Sequence, residues 1–423
     1  MQYPFEELSS REGFDLAPGL SVIIPAYNEE VTIASSVKSS LHLEYPEYEV
    51  IVCVDGSTDQ TLEVLIDRFS LITSSIDIAL PEGNKVVEKY KSEDYPNLTV
   101  LNLINGSKSS ALNHGILFSK FDYVCCLDAD SILEPKALVN ITLPIIESDN
   151  VVAVGGTIRV INSSKVVDGR VAQWNFPRSF LAAVQVPEFI RSFVCNRVAW
   201  SWMNSSLIIS GAFGVFKKDI LQKIGGYSTH SVTEDMDLIL KVHKYALESK
   251  LNYKVSFVPD PVCWTEVPTK FKHLISQRRR WFTGMLQVFW DFRSMFFSPK
   301  YRKVGLLGIP LFFIMEVVAP VLEVITYVLF IIGLNRGIVS SDFLIIFFVI
   351  SVLIHMINSI FAIIIEESFY RRSGNISDLV KITFFSLIEN LGYRQFLNIL
   401  KVFSLFTFPF RKQAWGYKVR EGL

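Results

Sequence analysis

The chain has 423 residues, of which 50% are hydrophobic, 13% aromatic and only 20% charged, a composition too apolar for a disordered chain. Its 41 Lys and Arg are matched by 42 Asp and Glu, for a formal net charge of −1, so no overall basic field exists to hold a polyanion and nucleic acid is not an expected partner. The five cysteines form no CxxC pair and sit mostly in apolar runs, which excludes a disulfide framework or zinc site and fits reduced core thiols.

Residues 1–19 are polar and lack the basic start and apolar stretch of a secretory signal, so a cytosolic segment is expected there. From Leu20 to about Phe257, short β-branched runs alternate with amphipathic segments, the pattern of an α/β domain built around a parallel sheet. Strands are expected at Ser21–Pro25, Val50–Val54, Leu98–Leu103, Tyr123–Leu127 and Val151–Ile158, with helices at Glu29–Ser40 and Lys108–Lys120. Pro81–Asn97, polar and bracketed by prolines, reads as a surface excursion. His273–Phe297 mixes arginines with Trp281, Phe282, Phe289 and Trp290, the composition of an amphipathic helix at a membrane surface.

Val304–Leu334 carries only Glu316 and Glu323 as charges and Phe343–Ile365 carries none, so each is apolar and long enough to cross a bilayer. The short link Asn335–Asp342 makes them a hairpin, and Arg371 and Arg372 place its flanks in the cytosol. Glu316 and Glu323, seven apart, fall near one helix face and are expected to meet protein or a polar passage rather than lipid. A third apolar stretch, Ile382–Phe408, is interrupted by Glu389, Asn390, Arg394, Gln395, Asn398 and Lys401, which leaves the count at two or three spans before a basic cytosolic tail. The expected domains are residues 1–19, a catalytic domain 20–267, an interfacial region 268–303, a transmembrane region 304–410 and a tail 411–423.

Four stretches could carry chemistry. Asp55-Gly56-Ser57-Thr58-Asp59 follows a strand and opens a helix, where a carboxylate can accept from a nucleoside and Ser57 or Thr58 can cap; a plain turn fits as well. Asp128-Ala129-Asp130 brings two carboxylates to a strand end, hard oxygens suited to Mg²⁺ or Mn²⁺ when a diphosphate completes the shell, or else a helix cap. Thr233-Glu234-Asp235 precedes a helix, so its acids are either ordinary first-turn residues or include a general base. In Gln277-Arg278-Arg279-Arg280-Trp281, residues 277, 280 and 281 share a helical face, with a guanidinium for developing charge and an indole for a sugar ring; a membrane anchor is compatible with that role.

Together these motifs resemble family 2 glycosyltransferases, in particular the membrane-integrated branch of cellulose, hyaluronan, chitin and poly-N-acetylglucosamine synthases. The resemblance runs through SVIIPAYNEE, VDGSTD, NGSKSSALNHG, LDADS, SGAFGVF, TEDMDL, TEVPTK and QRRRW, and weakens after Trp281. It implies a GT-A (Rossmann-like, nucleotide-sugar-binding) catalytic domain followed by interfacial and transmembrane helices. It further implies donor contacts at Pro25, Tyr27, Glu29, Asp55, Lys108 and Asp128, and a divalent metal, Mg²⁺ or Mn²⁺, at Asp130 with Asp128. Asp235 is then the catalytic base with Arg280 against the diphosphate, and Glu234, Gln277 and Trp281 meet the acceptor. The family's first motif carries two aspartates before its glycine; here Val54 takes the earlier place, which shifts the expectation onto Asp55. No transmembrane helix is expected ahead of the motifs, so a complete secretion channel is not assured.

The function so implied is transfer of hexose or N-acetylhexosamine from a UDP-sugar to a β-linked polysaccharide at the inner face of the cell membrane. Membrane lipids are expected partners, and subunits of an export complex are candidates. Two alternatives stay open: single addition to a lipid, as in ceramide glucosyltransferase, and a non-catalytic subunit of a secretion complex. The segment Ser179–Ser205 either shapes the acceptor path or packs as a helix.

Overall fold

The computed structural model describes residues 17–76, 85–370 and 375–407. Most of the expected N-terminal segment, Arg371 and Arg372, and the basic tail lie outside the described residues. The strands in chain order are β1 (Leu20–Ala26), β2 (Tyr48–Asp55), β3 (Leu71–Ser74), β4 (Val86–Ser92), β5 (Leu98–Leu103) and β6 (Tyr123–Leu127). There follow β7 (Ser131–Leu133), β8 (Val151–Val160), β9 (Lys165–Val167), β10 (Arg170–Gln173), β11 (Phe213–Lys217) and β12 (Lys254–Thr265). Ten of them form one sheet in the order β3-β4-β5-β2-β1-β6-β11-β8-β12-β7, while β9 and β10 pair as a hairpin.

The central run β5-β2-β1-β6 is parallel. Its β-branched residues are buried on both faces, as helices on either side require. Val22, Ile24, Val50 and Val52 pack with Ile33 and Val37 of the Ile33–Leu41 helix and with Leu138 and Ile141 of the Ala137–Glu147 helix. Ile23, Ile51 and Cys53 face the opposite way, onto Ala111, Leu112 and Ile116 of the Lys108–Phe118 helix. Four of the five cysteines are buried and all five are unpaired.

Two expectations need correction. The sheet is mixed: β11 runs antiparallel to both β6 and β8, and β4 runs antiparallel to β5. The polar stretch 81–97 is not wholly an excursion, because β4 lies within it and pairs with β3 and β5. Its exposed Val87, Glu88 and Lys91 are the mark of a strand near the sheet edge, where one face stays wet and polar residues are tolerated.

Beyond the sheet, the Phe271–Asp291 helix buries Leu274, Phe282, Met285, Val288 and Phe289 and leaves Trp290 67% exposed, as an interfacial helix requires. Helical segments Val304–Asn335 and Ser341–Tyr370 follow, of 32 and 30 residues, apolar and long enough to cross a membrane. Only 17% and 11% of their most apolar windows are buried, so their apolar faces point outward and a soluble-core role does not fit. The Phe330 and Phe347 rings, 5.0 Å apart, close the hairpin. The third apolar stretch is broken: helices Ile376–Ile388 and Arg394–Thr407 flank a kink where Gly392 takes φ 150°. Each half is only about 20 Å long, short of a hydrocarbon core of about 30 Å, so among the described residues two helical segments are long and apolar enough to cross a membrane. The catalytic half meets the C-terminal helices where Val160 of β8 and Ala182, Val186 and Ile190 of the Phe180–Ile190 helix pack with Ala362, Ile363 and Ile382.

Candidate active site

All four motifs converge on one cavity of about 1590 Å³, lined by Pro25, Tyr27, Glu29, Asp55, Lys108, Asp128, Asp130, Glu234, Asp235, Gln277, Arg280 and Trp281. The topology explains the meeting. Pro25, Tyr27, Asp55 and Asp128 stand at or just past the carboxyl ends of β1, β2 and β6, the edge at which open α/β sheets gather ligands.

On the donor side, the loops after β1 and β2 are stitched together. Asn28 Oδ1 accepts from the Thr58 amide at 2.8 Å, the Asn28 amide donates to Ser57 Oγ at 3.1 Å, and the Glu29 amide donates to Thr61 Oγ1 at 2.9 Å. Ser57 and Thr58 thus brace the β1 loop; they do not cap the following helix, whose amide at Thr61 donates to Asp59 Oδ1 at 3.0 Å. Asp55 is 3% exposed and accepts from the Gly106 and Ser107 amides at 2.8 and 2.9 Å. Burial raises its pKa against the lowering pull of those two amides. Its carboxylate therefore shapes the loop that launches the Lys108–Phe118 helix, while each oxygen keeps a second lone pair for a ligand. Gly56 sits at φ +62°, and a Cβ there would fall 2.6 Å from the Asn105 amide nitrogen, so the close approach of these loops requires glycine.

The center of the cavity holds the acids. The Lys108 ammonium lies 2.6 Å from Asp128 Oδ1 and 3.0 Å from Glu234 Oε1. Burial opposes its charge, but the two carboxylates outweigh burial and hold its pKa above the usual lysine range. Asp235 accepts from the Met236 amide at 2.8 Å and from the Gly211 amide at 3.3 Å. Burial, then the neighbouring Glu234, push its pKa up to about 6, with Lys108 pulling the other way. A half-buried carboxylate tuned to that range suits a general base near neutral pH.

Asp128 and Asp130 offer hard carboxylate oxygens on one wall of the cavity. Among the described residues no group of three or more His, Cys, Asp or Glu is arranged around a metal site. The donor set therefore fits Mg²⁺ or Mn²⁺ only if substrate phosphate and water complete the shell, the usual habit of Mg²⁺.

Several contributors were not singled out in the sequence. Arg278 places its guanidinium 4.9 Å over the Trp281 ring and is itself held by both Glu188 carboxylate oxygens and by Gln185 at 3.3 Å. His243 ties the helix that carries Asp235 to the segment before Gly211: its Nε2 is 2.8 Å from the Ser206 carbonyl and its Nδ1 2.7 Å from the Tyr253 hydroxyl. A carbonyl can only accept, so Nε2 carries the proton and Tyr253 donates to Nδ1. The segment 179–205 packs as a helix, as considered for it, and also reaches the cavity. Its Phe180–Ile190 helix packs on the sheet, while Glu188, Arg191, Asn196, Arg197 and Trp200 line the cavity, most of them from the π-helical turn Arg191–Arg197. No local signal marks a π-helical turn in the sequence.

Toward the membrane the same cavity runs on past Glu316 and Glu323. Lys401 meets Glu316 at 2.7 Å, and Arg394 and Asn398 meet Glu323 at 2.9 and 2.7 Å, so both acids face protein as their cost in lipid requires.

Comparison with known proteins agrees with this geometry. The poly-β-1,6-N-acetyl-D-glucosamine synthase of Staphylococcus epidermidis is 29% identical over 276 residues, 64% of this chain and 57% of that protein. The probable glycosyltransferase YdaM of Bacillus subtilis is 28% identical over 298 residues, 70% of this chain and 61% of that protein. The chain thus matches roughly three-fifths of the length of these curated relatives. A mannosyltransferase of Pyrobaculum calidifontis, solved with GDP-mannose and Mn²⁺, shares the fold over 97% of this chain and 95% of its own, at a TM-score of 0.56 and 17% identity. The model of glycosyl transferase family 2 matches residues 21–80, and that of glycosyl transferase family group 2 matches residues 123–364. The second match alone covers more than half of the chain, which therefore belongs to glycosyl transferase family group 2, with a GT-A-like fold and two apolar helices long enough to span a membrane.

Proposed function

We propose that this enzyme is a membrane-bound inverting transferase that moves hexose or N-acetylhexosamine from a UDP-sugar to the growing end of a β-linked polysaccharide. One observation carries the reading: a single cavity joins the donor-side loops, the half-buried Asp235, the exposed indole of Trp281 and the acid-lined face of the first membrane span. The synthase from Staphylococcus epidermidis supports the polymer product, since it is named for a β-linked poly-N-acetylglucosamine.

In this reading Asp235 takes the proton from an acceptor hydroxyl as that oxygen attacks the anomeric carbon. The bond from that carbon to the diphosphate breaks on the opposite face, UDP departs, and one displacement inverts the center. Arg280 offsets charge on the departing diphosphate, and Trp281, with Gln277 and Glu234, holds the acceptor sugar. Asp130 and Asp128 would hold Mg²⁺ or Mn²⁺, which would neutralise diphosphate charge when bound. Pro25, Tyr27, Glu29, Asp55 and Lys108 frame the donor. The proposed division is a catalytic domain over residues 20–267, an interfacial region over 268–303 and a membrane region over 304–410, with the catalytic domain in the cytosol.

Purified protein in bilayers, given labelled UDP-sugars and divalent metal, tests this reading. Release of UDP coupled to a product that lengthens with time is expected. A product fixed at one added sugar in the lipid phase would favour glycolipid synthesis, and no transfer from any sugar nucleotide would favour the non-catalytic alternative.

A further inference from the structure

The Lys108 ammonium is placed where it links the two halves of the site. It sits between Asp128, on the metal and donor side, and Glu234, on the acceptor side, at 2.6 and 3.0 Å. The local backbone is built to deliver it there. Lys108 is the first residue of its helix, and the preceding Ser107 holds φ 102°, a conformation that side chains rarely adopt. The Asp55 carboxylate, through its bonds to the Gly106 and Ser107 amides, fixes that turn. Across the cavity Gly211 leaves the space open, because a Cβ there would stand 3.1 Å from the ammonium.

We propose that Lys108 is a placeholder cation, which occupies the metal-facing carboxylate Asp128 and the acceptor-facing Glu234 together until metal and donor diphosphate displace it. The proposal rests on the reading of Asp128 and Asp130 as the metal-holding pair. Its physical basis is exclusion. A divalent cation on the Asp128 carboxylate would stand close to an ammonium held 2.6 Å from Oδ1, and two positive charges that near repel strongly where little water screens them, which drives the ammonium off. Metal alone then binds against the cost of breaking the Lys108 ion pairs. The donor diphosphate changes the balance by bringing negative charge for both cations. Donor and metal enter together, and only then is Glu234 released toward the acceptor. The arrangement makes Lys108 a positioning residue that couples the two substrates, and it protects the buried acids from mutual repulsion in the resting enzyme.

The test reads metal binding rather than turnover. Mn²⁺ uptake by the purified full-length protein is followed through the electron paramagnetic resonance signal of free Mn²⁺, with and without UDP. Lys108→Met is expected to bind Mn²⁺ alone roughly tenfold or more tightly than the unaltered protein, because the competing ammonium no longer reduces the fraction of sites open to metal. Its gain on adding UDP shrinks by the same factor. Lys85→Met is the control for simple removal of charge: Lys85 lines the same cavity, but its ammonium donates to the Asn105 carbonyl at 3.2 Å rather than to Asp128. That variant is expected to change Mn²⁺ affinity by less than about twofold, as screened charges at a distance do. A gain in Lys85→Met equal to that in Lys108→Met, or none in Lys108→Met, overturns the placeholder while Mn²⁺ binding with UDP keeps the metal reading. Failure of the unaltered protein and both variants to bind Mn²⁺ even with UDP overturns both.

Discussion

Replacing Asp235 by Asn separates the reaction from the stability that the reaction costs. The ordinary carboxyl pKa is 3.8 and burial beside Glu234 raises it to about 6 in the folded protein. The folded state therefore binds this proton more tightly than the unfolded chain does. Below pH 3.8 the group is protonated in both states and imposes no penalty; the penalty grows as pH rises toward 6 and is constant above it. A shift of this size is worth about 3 kcal/mol at most at neutral pH. The amide keeps one oxygen for the Met236 amide but offers its nitrogen to the Gly211 amide, losing a bond of 3.3 Å that sets about 1 kcal/mol against the gain. Net stabilisation of about 2 kcal/mol is expected at pH 8, vanishing or reversing near pH 4. Thermal unfolding of the two proteins across that pH range measures it. Transfer should be almost abolished in the variant with donor affinity kept, and kcat/KM of the parent should fall through an apparent pKa near 6 as pH drops. A variant that is destabilised equally at pH 4 and pH 8, or that loses donor binding while its remaining chemistry is normal, would refute both the tuning and the role.

Three further outcomes follow from packing and charge. Trp281→Ala should raise KM for the acceptor several-fold with donor KM unchanged, since the ring is 39% exposed in the cavity; a rise in donor KM alone would misplace the stacking. Arg159 on β8 and Glu366 on the second long apolar helix pair at 3.4 Å with side chains 5% exposed, and the guanidinium also lies over the Trp174 and Trp264 rings, so Glu366→Ala should cost about 1.5–3 kcal/mol by removing one of several partners of a buried charge. The double variant Arg159→Met with Glu366→Leu should recover much of that in the same unfolding assay. Burial pushes His243 down to about 4 from an ordinary 6.5, so the folded state resists a proton that the unfolded chain accepts. Stability should fall as pH drops from about 6.5 toward 4 and level off below, and His243→Gln should flatten that slope in a pH-resolved melt.

The sheet edge was legible because its chemistry is local. Asp55 and Asp128 each end an apolar run, and the run predicts the strand whose end presents them. The order of the sheet was not, because β11 enters between β6 and β8 from residues Phe213–Lys217, a five-residue run with no periodicity of its own. β4 escapes sequence reading for a related reason: one strand in from the sheet edge, it leaves Val87, Glu88 and Lys91 exposed and composes like a loop. Lys108 was read as a donor contact, yet its two carboxylate partners lie 20 and 126 positions away, and no spacing rule brings such residues together. Arg278 stands beside Gln277, Arg280 and Trp281, whose spacing places them on one helix face. Its hold on Trp281 depends on Glu188, which only the tertiary fold supplies.

The membrane half of the cavity shows how apparent defects in sequence become partners in space. Glu316 and Glu323 are two helical turns apart, and so are Lys401 and Arg394 on a facing helix; the pairs match end to end, Glu316 with Lys401 and Glu323 with Arg394. Three of the six residues that made the third apolar stretch doubtful as a lipid span, Arg394, Asn398 and Lys401, thereby meet an acid that made the first span doubtful, while Glu389 pairs with Arg191. Removing only the acids strands Lys401 and Arg394, so Glu316→Leu with Glu323→Leu should destabilise the fold, more through Arg394, whose side chain is 15% exposed, than through Lys401 at 27%, and says little about transport. The fourfold variant that also carries Arg394→Leu and Lys401→Leu removes the charges in matched pairs, and should fold while losing the polar lining. If the passage carries the growing glycan, this variant should still release UDP from the donor yet make only short products in bilayers, because a chain of hydroxyls loses the charged groups that replace its water. Products as long as those of the parent would show that glycan does not depend on this lining, and would leave the ion pairs with the single task of fastening the two helices.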